Sequence, residues 1–194
     1  MPSNLDYKDH RPNNNQMLEM DGNVPPQAVE IEESVLGGML LEEDARLTAL
    51  NKLHDESFYK PAHKHIFASI RDLFMEDKPV DMLSVENDLK DKGLIEACGG
   101  SYYISGLTRS ISSAAHIQYH AQILTEKYLK RKLINNCTEA IKASYESNTD
   151  PYEVLDKHED NVYNLMTEGM SSSNNDVVSM HDLLHEVASD IMDK

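Results

Sequence analysis

Pairs of histidines are the residues of this chain whose spacing first suggests metal chemistry. His63 and His65 lie two positions apart in "SFYKPAHKHIF", while "HIQYH" (His116–His120) and "HDLLH" (His181–His185) place their histidines at i and i+4. On a helix, residues two apart point about 200° away from each other, because one turn takes 3.6 residues. Residues four apart share a face. Only the i, i+4 pairs therefore have the spacing to share one zinc ion.

Neither of these two pairs completes a zinc site. "HDLLH" differs from the HExxH helix of zinc proteases, because Asp182 stands where a glutamate general base is required and no third ligand follows at a suitable spacing. "HIQYH" has no acidic residue at all. We expect both pairs to lie on solvated helix faces. His63 lies on an apolar stripe, which indicates a hydrogen-bonded histidine at the edge of the core. The sequence thus predicts no metal site.

Other catalytic and cofactor-binding patterns are missing from the sequence. It contains no GxxxxGK[ST] phosphate-binding loop and no GxSxG nucleophile motif. We therefore predict no catalytic residue and no cofactor in this chain. Its one dense basic run is "EKYLKRK" (Glu126–Lys132). This run is either a solvated helix face or a contact for an acidic partner or a neighbouring subunit. Arg131 lies close to the apolar stripe of its helix, so we expect it to form a partly buried ion pair inside an assembly.

Composition limits the possible partners and compartments. The chain has 194 residues, 40% of them hydrophobic and 27% charged, as in globular proteins. Its net charge of −16 argues against direct nucleic-acid binding and favours a basic protein partner. Two cysteines without a disulfide pattern, no signal-peptide segment and no apolar run of membrane-spanning length indicate a soluble cytoplasmic protein.

All the elements that must position these residues are predicted to be helices. Apolar periodicity and helix-start signals predict five shorter helices, beginning near Gln27, Asp44, Lys60, Ser84 and Tyr102. Pro61 is expected in the first turn of the third helix, Ser84 as the N-cap of the fourth and Gly93 at the end of the fourth. We therefore predict an all-α fold.

A long helical hairpin is predicted to follow this small helical domain. Residues 114–147 contain no proline or glycine and form the longest predicted helix. Asp150 and Pro151 are expected to start a second helix that Gly169 closes, and so short a turn predicts an antiparallel pair. The small domain cannot cover all the apolar residues of such a hairpin, which predicts a homodimer. The expected interface residues are Tyr128, Arg131, Ile134, Ile141, Leu155, Val162 and Leu165.

The expected domain organisation has five parts. They are a disordered arm (1–24), a helical domain (25–110), the dimerisation hairpin (111–169), a linker (170–176) and an amphipathic linker helix (177–194).

Five motifs together resemble a known protein family. They are "PPQAVEIEESVLGGMLL", "FYKPAHKHIF", "VDMLSVENDLKDKGLIEACGGSYYISGL", "HIQYHAQILTEKYLKRKLI" and "YEVLDKHEDNVYNL". In order and spacing they resemble the amino-terminal half of bacterial replicative DNA helicases of the DnaB type, from about Pro25 to Gly169. The resemblance implies a helical hairpin that pairs with another, with three such dimers forming a collar above a hexameric motor. It also implies that a motor using ATP and Mg²⁺ would lie beyond Lys194.

The resemblance implies further contacts as well. In this family the amino-terminal domain recruits primase, and a helicase loader is a further possible partner. The positions that correspond to the primase contact are Tyr103 and Ile134, together with Ala140 or Ile141, between which the alignment does not decide. For each of them, packing within the chain and contact with a partner remain equal alternatives. The resemblance also implies that the last helix docks on a neighbouring motor through Leu184, Val187 and Ile191.

Two functions from different classes follow from the sequence. The first is a collar and recruitment domain of a replicative helicase, without enzymatic activity of its own. The second is a stand-alone helical adaptor or regulatory paralogue that never had a motor.

Overall fold

The computed structural model describes residues 24–109 and 115–173, with side chains as far as Gly169. This part of the chain consists of seven α-helices and one 3₁₀ turn and contains no strand, so the predicted all-α fold is confirmed. The helices are α1 (Val29–Leu41), α2 (Glu43–Lys52), α3 (Pro61–Met75), α4 (Met82–Asp91), α5 (Gly100–Arg109), α6 (Ile117–Tyr145) and α7 (Pro151–Ser173). The 3₁₀ turn, Asp55–Ser57, lies between α2 and α3.

Helix α1 lies at the centre of the small helical domain. It packs against α2, α3, α5 and α6, and α4 in turn packs against α3 and α5. Its buried face includes Val35, Leu36 and Met39, each with no exposed surface. Phe58 and Phe67 belong to the same buried core, with ring centroids 5.0 Å apart. Val35, Leu36 and Met39 recur at the helical spacing from which α1 was predicted to face the core.

The long helix α6 belongs to two environments. Its first half lies in the core, where Ile117, Ala121 and Leu124 are buried. Its second half packs principally on α7. Tyr128 donates a hydrogen bond to Glu168 near the far end of α7, at 3.2 Å, whereas Ala143 lines a cavity with Val154 close to the turn. The two helices therefore run antiparallel, as predicted.

Several predicted helix starts are confirmed, and one cap is corrected. Pro61 occupies the first turn of α3. The backbone N–H of Tyr152 donates to Asp150 Oδ1 at 2.9 Å at the start of α7. Helix α4, however, begins one turn earlier than predicted, because Asp81 and not Ser84 is its N-cap. Asp81 Oδ1 accepts the backbone N–H of Ser84 at 2.8 Å.

Two predicted helix lengths also differ from the structure. Helix α6 has 29 residues and is shorter at both ends than the predicted 114–147. Helix α7 does not end at Gly169 but continues to Ser173. A glycine inside a helix lowers helix stability by about 1 kcal/mol relative to alanine, but Gly169 lies where α6 and α7 are in close contact. A Cβ at position 169 would lie 3.2 Å from Leu129 Cδ1 on α6.

The first 23 residues of the predicted arm and the predicted linker helix at 177–194 lie outside the described residues. Within 24–109 and 115–173, no helix combines the length and apolar content needed to cross a bilayer.

Candidate functional site

Glu32 is a buried carboxylate in the middle of the apolar face of α1. Its side chain has no exposed surface. Its two oxygens accept the backbone N–H groups of Tyr59 at 2.7 Å and Lys60 at 3.4 Å. These residues directly precede Pro61, the first residue of α3, where backbone N–H groups have no partner within the helix. Glu32 therefore ties α1 to the start of α3.

His63 connects Glu32 to α5. It is fully buried in the first turn of α3, with Nδ1 2.6 Å from Glu32 Oε2 and Nε2 2.7 Å from the hydroxyl of Tyr103. Both ring nitrogens thus have protein partners. His63 is thus hydrogen-bonded, as predicted, although it lies deeper than the core edge.

Tyr103, one of the predicted primase contacts, is partly buried on α5. The hydroxyl donates to Glu33 Oε1 at 2.7 Å. Burial, followed by the hydrogen bond to Glu33, raises the pKa of Tyr103 well above its ordinary value, so the phenol keeps its proton. Lys60 Nζ lies 5.5 Å from the ring centroid and 3.6 Å from Glu33 Oε1. We call Glu32, Glu33, Lys60, His63 and Tyr103 the Tyr103 network.

Arg131 fixes the hairpin to the small helical domain. It is 7% exposed, and its guanidinium donates to the carbonyl oxygens of Pro26 at 2.9 Å, Glu56 at 3.1 Å and Ser57 at 2.8 Å. Burial lowers the pKa of Arg131. The expectation that this residue forms an ion pair inside an assembly is therefore corrected, because its close partners are backbone carbonyls of its own chain.

Tyr128 has a similar internal role at the base of the hairpin. It is buried, and its ring meets that of His54 edge-on, with centroids 4.5 Å apart. Lys132 Nζ lies 5.5 Å from the Tyr128 centroid and 4.0 Å from Glu168 Oε1. Tyr128 and Arg131 were both predicted at an interface between copies. Their burial within one chain leaves little of either side chain for a second copy.

The outward faces of the hairpin carry two rows of exposed, mainly apolar residues. The α6 stripe, with a spacing of four residues, comprises Leu133, Cys137, Ile141 and Tyr145. The α7 stripe comprises Tyr152, Leu155, Tyr163 and Met166, each more than 60% exposed. Of the residues predicted for partner or subunit contacts, Ile141 and Leu155 lie on these stripes, whereas Ile134, Val162 and Leu165 are partly buried.

The two helices of the hairpin carry opposite charge. Helix α6 has five basic and two acidic side chains, a net charge of +3. Helix α7 has one basic and five acidic side chains, a net charge of −4 with histidine neutral. The α7 stripe is therefore surrounded mainly by carboxylates, whereas the excess basic residues of α6 lie at positions 127–132, before the α6 stripe, along which Glu139 and Lys142 balance each other.

No metal site is found in the described part of the chain, where no three or more His, Cys, Asp or Glu side chains are grouped to hold an ion. The rings of His116 and His120 are 6.4 Å apart, and His120 Nδ1 lies 3.4 Å from Ser34 Oγ. The "HDLLH" pair lies outside the described residues, as do the predicted docking residues Leu184, Val187 and Ile191.

The main feature that the sequence analysis missed is the pairing of Glu32 with His63. One signal for it exists in the sequence. Glu32 lies three, four and seven residues before Val35, Leu36 and Met39, and so on the same helix face as these apolar residues. A carboxylate at such a position needs a buried partner.

Comparison with known proteins adds to this geometry. The family model described as "DnaB-like helicase N terminal domain" matches residues 24–126, which is more than half of the chain. The chain belongs to this family. The match covers the small helical domain, which contains Tyr103, and the first part of α6.

Similarity to an individual DnaB protein supports the family assignment. The replicative DNA helicase DnaB of Rhodothermus marinus is 42% identical over 144 residues, which are 74% of this chain but only 15% of that protein. The chain thus spans a small part of this relative's length.

Two solved structures have the same fold. The crystal structure of the N-terminal domain of DnaB helicase from Mycobacterium tuberculosis is 36% identical, with a TM-score of 0.69, and the match covers 73% of this chain and 99% of that one. A structure titled as a DnaB-like replicative helicase and its interactions with primase is 23% identical, with a TM-score of 0.57. It covers 86% of this chain and 36% of the other, and shows the shared fold alone.

Proposed function

We propose that this chain is the collar and recruitment domain of a replicative DNA helicase. In this role it supports assembly of the hexamer and binds primase and a helicase loader during DNA replication in the cytoplasm. ATP and Mg²⁺ belong to the motor of such a helicase, so the chain itself binds neither and binds DNA weakly at most. The observation that carries the proposal is the projecting hairpin with two uncovered stripes, in a chain of the DnaB-like helicase N-terminal domain family.

The hairpin supports assembly through shape and charge. Each stripe holds exposed apolar side chains, and burying an aliphatic side chain contributes about 1.5–3 kcal/mol. Several such side chains together can exceed the entropy cost of association. Since the α7 stripe is surrounded by carboxylates and the α6 stripe has balanced charges, two α7 stripes would repel each other, and the favoured pairing places the α6 stripe of one copy on the α7 stripe of another. Two hairpins paired in this way form a homodimer, and three dimers complete a hexameric collar.

The primase half of the proposal rests on the shared fold and on surface chemistry. The chain shares its fold with a helicase whose structure is described together with its interactions with primase. The partly exposed Tyr103 and Ile134, together with the exposed Ile141, supply apolar contacts. A net charge of −16 suits a basic partner surface.

Assembly is tested with Ile141→Asp, which puts a carboxylate in the α6 stripe. The matched control is Met75→Asp, because Met75 is 72% exposed at the end of α3 and lies off the hairpin. Sedimentation velocity over a range of concentrations should show a wild-type dimer. Its dissociation constant should rise at least about tenfold in Ile141→Asp, a change of about 1.4 kcal/mol, and stay unchanged in Met75→Asp. A wild type that remains monomeric at high concentration would refute the assembly role.

Recruitment is tested by titrating the chain with the carboxy-terminal helical domain of primase in a calorimeter. We expect binding by the wild type and weaker binding by Tyr103→Ala, with Met75→Asp again as control. If the wild type does not bind, the recruitment role fails and a stand-alone adaptor becomes the better account.

A further inference from the structure

The hairpin contains a cavity between α6 and α7, close to the turn that joins them. Its volume is about 180 Å³. We call it the tip cavity. Ala140 and Ala143 on α6 and Val154 on α7 form its apolar lining, and all three residues are partly buried. The two alanine side chains are too small to fill the space between the helices, which leaves room for a group from outside the chain.

The polar side chains around the tip cavity lack partners within the described part of the chain. Six of them make no side-chain hydrogen bond or ion pair there, namely the partly buried Asn136, His158 and Asn161 and the exposed Glu139, Glu153 and Lys157. His158 is the most informative of the six, because its Nδ1 is buried and still has no hydrogen-bond partner. Buried polar atoms in native proteins nearly always have one. The lining of the tip cavity is therefore short of a hydrogen-bonding group.

The size of the tip cavity limits what can enter it. Pockets that hold cofactors or drug-sized ligands have volumes of about 300–1,000 Å³. A cavity of about 180 Å³ is too small for a nucleotide or a ligand of that size. It has room for a single side chain of another protein.

The charge around the tip cavity favours a cation. Residues 139–161 include seven acidic and two basic side chains, a net charge of −5 with histidine neutral. At the cavity itself, the carboxylates of Glu139 and Glu153 outnumber the single ammonium group of Lys157. The tip of a second copy carries the same negative charge and would be repelled. The occupant is therefore a basic side chain of a different protein.

Arginine suits this lining better than lysine does. A guanidinium is planar, has five N–H donors in a fixed fork and is less strongly hydrated than an ammonium group. The tip cavity offers two carboxylates at exposed positions, and amide and imidazole groups at partly buried ones. Such a set can accept several hydrogen bonds from one fork, whereas a lysine ammonium acts as a point charge.

We infer that the tip cavity is the receptor site for one arginine side chain of a basic partner protein. Glu139 on α6 and Glu153 on α7 supply the charge, while Asn136, His158 and Asn161 supply hydrogen-bonding groups. The site deepens the recruitment role: its use by primase rests on the proposed function, whereas its affinity for a guanidinium group does not.

The direct test titrates the full chain with methylguanidinium chloride and follows the side-chain amide signals of Asn136 and Asn161 by nitrogen-15 NMR. We expect both signals to shift and to reach saturation. The amide of Asn87, which is exposed on α4 in the small helical domain, should not respond. Sodium chloride controls for ionic strength, and methylammonium chloride controls for charge alone. Equal shifts with either of these salts would overturn the inference.

Three variants separate the tip cavity from the general charge of α7. Ala140→Leu fills the cavity without changing its charge and should abolish the saturable shifts. Glu153→Gln keeps the shape and should raise the dissociation constant by about two- to fivefold, because exposed ion pairs contribute little. Glu159→Gln is the matched control and should bind as the wild type does, since Glu159 is an exposed carboxylate of α7 that does not line the cavity. If Ala140→Leu does not fold, equal effects of Glu153→Gln and Glu159→Gln contradict the inference.

The partner is tested by calorimetry with the carboxy-terminal helical domain of primase and the same variants. Ala140→Leu should weaken binding at least about tenfold, as blocking the pocket of an anchor side chain does, and Glu159→Gln should leave it unchanged. Unchanged affinity in Ala140→Leu would show that primase does not use the tip cavity. If the wild type binds methylguanidinium but not primase, the proposed function fails and the arginine site stands.

Discussion

Arg131 Nη2 donates to the carbonyl oxygen of Ser57 at 2.8 Å, across 74 residues of sequence. Ser57 ends the 3₁₀ turn and is 1% exposed, so water has little access to this carbonyl group. The same guanidinium reaches Pro26, just before α1. One side chain of the hairpin therefore joins three backbone segments that no regular helix hydrogen bond connects.

Arg131→Met should destabilise the protein strongly, because it keeps the apolar stem and removes every donor. Three carbonyl oxygens lose a charged partner, and we expect a loss of about 3 kcal/mol in the free energy of unfolding. Lys130→Met is the control, since Lys130 is the exposed neighbour, and should change stability by less than about 0.5 kcal/mol. Urea unfolding followed by circular dichroism measures both. Equal effects of the two substitutions would show that the guanidinium contributes nothing specific.

Gly99 should tolerate alanine less well than Gly93 does. Both have positive φ, +87° and +69°, so alanine costs about 1–2 kcal/mol at either position through backbone strain. Only at Gly99 would the new Cβ also lie 3.0 Å from Tyr103 Cβ, whereas nothing lies within 4 Å at Gly93. Thermal unfolding should therefore show a larger loss for Gly99→Ala. Equal melting temperatures of the two variants would show that the contact with Tyr103 Cβ does not affect stability.

Asp81→Ala should remove the cap of α4 and lower stability by about 1 kcal/mol. The hydrogen bond from the backbone N–H of Ser84 holds the pKa of Asp81 below its ordinary value. The unfolded chain therefore takes up this proton first as the pH falls, and the stabilisation present above about pH 5 is lost through pH 4 and below. Asp81→Asn retains the acceptor but not the charge. In urea unfolding at several pH values, Asp81→Asn should lack this part of the acid dependence. An acid dependence identical to that of the wild type would contradict the assignment.

The two cysteines should differ sharply in reactivity. Cys137 is exposed on the α6 stripe, whereas Cys98 is buried and burial raises the pKa of its thiol. A thiol reagent followed by mass spectrometry should modify Cys137 and leave Cys98 intact in the folded protein. If the α6 stripe is covered in a dimer, modification of Cys137 should slow as protein concentration rises, and this dependence should disappear in Ile141→Asp. If the protein is a proven dimer and the rate of Cys137 modification does not depend on concentration, the dimer interface does not include the α6 stripe.

What sequence reasoning could and could not predict follows from the range of each interaction. The helices and the antiparallel hairpin follow from periodicity and from Pro61, Asp150 and Pro151, which act within one or two turns. Asp81 and Ser84 are both good N-cap residues three positions apart, so local preference alone could not choose between them. The structure places the carboxylate of Asp81 on the N–H of Ser84.

The long-range polar contacts were harder to predict. Arg131 was expected in a partly buried ion pair inside an assembly, because the backbone carbonyl groups that it binds in its own chain have no side-chain signature in a sequence. The contact between Glu32 and His63 needs α1 and α3 side by side before either residue has a partner. For the same reason, the predicted interface residues Tyr128 and Arg131 could not be separated from exposed ones such as Ile141, because a single helix stripe does not tell which part of it the domain covers.

The two environments of α6 have a consequence for how the molecule opens. Thr138 is the last buried residue along α6, and none of the side chains described between Glu139 and Gly169 is fully buried. Backbone amides in the outer part of the hairpin should therefore exchange with deuterium through local fraying, while those near Leu124 await unfolding of the whole domain. A partner that binds only the tip of the hairpin would order the tip on binding, and part of the binding free energy would offset the cost of that ordering. Binding would then also slow the exchange of amides that lie far from any atom the partner contacts.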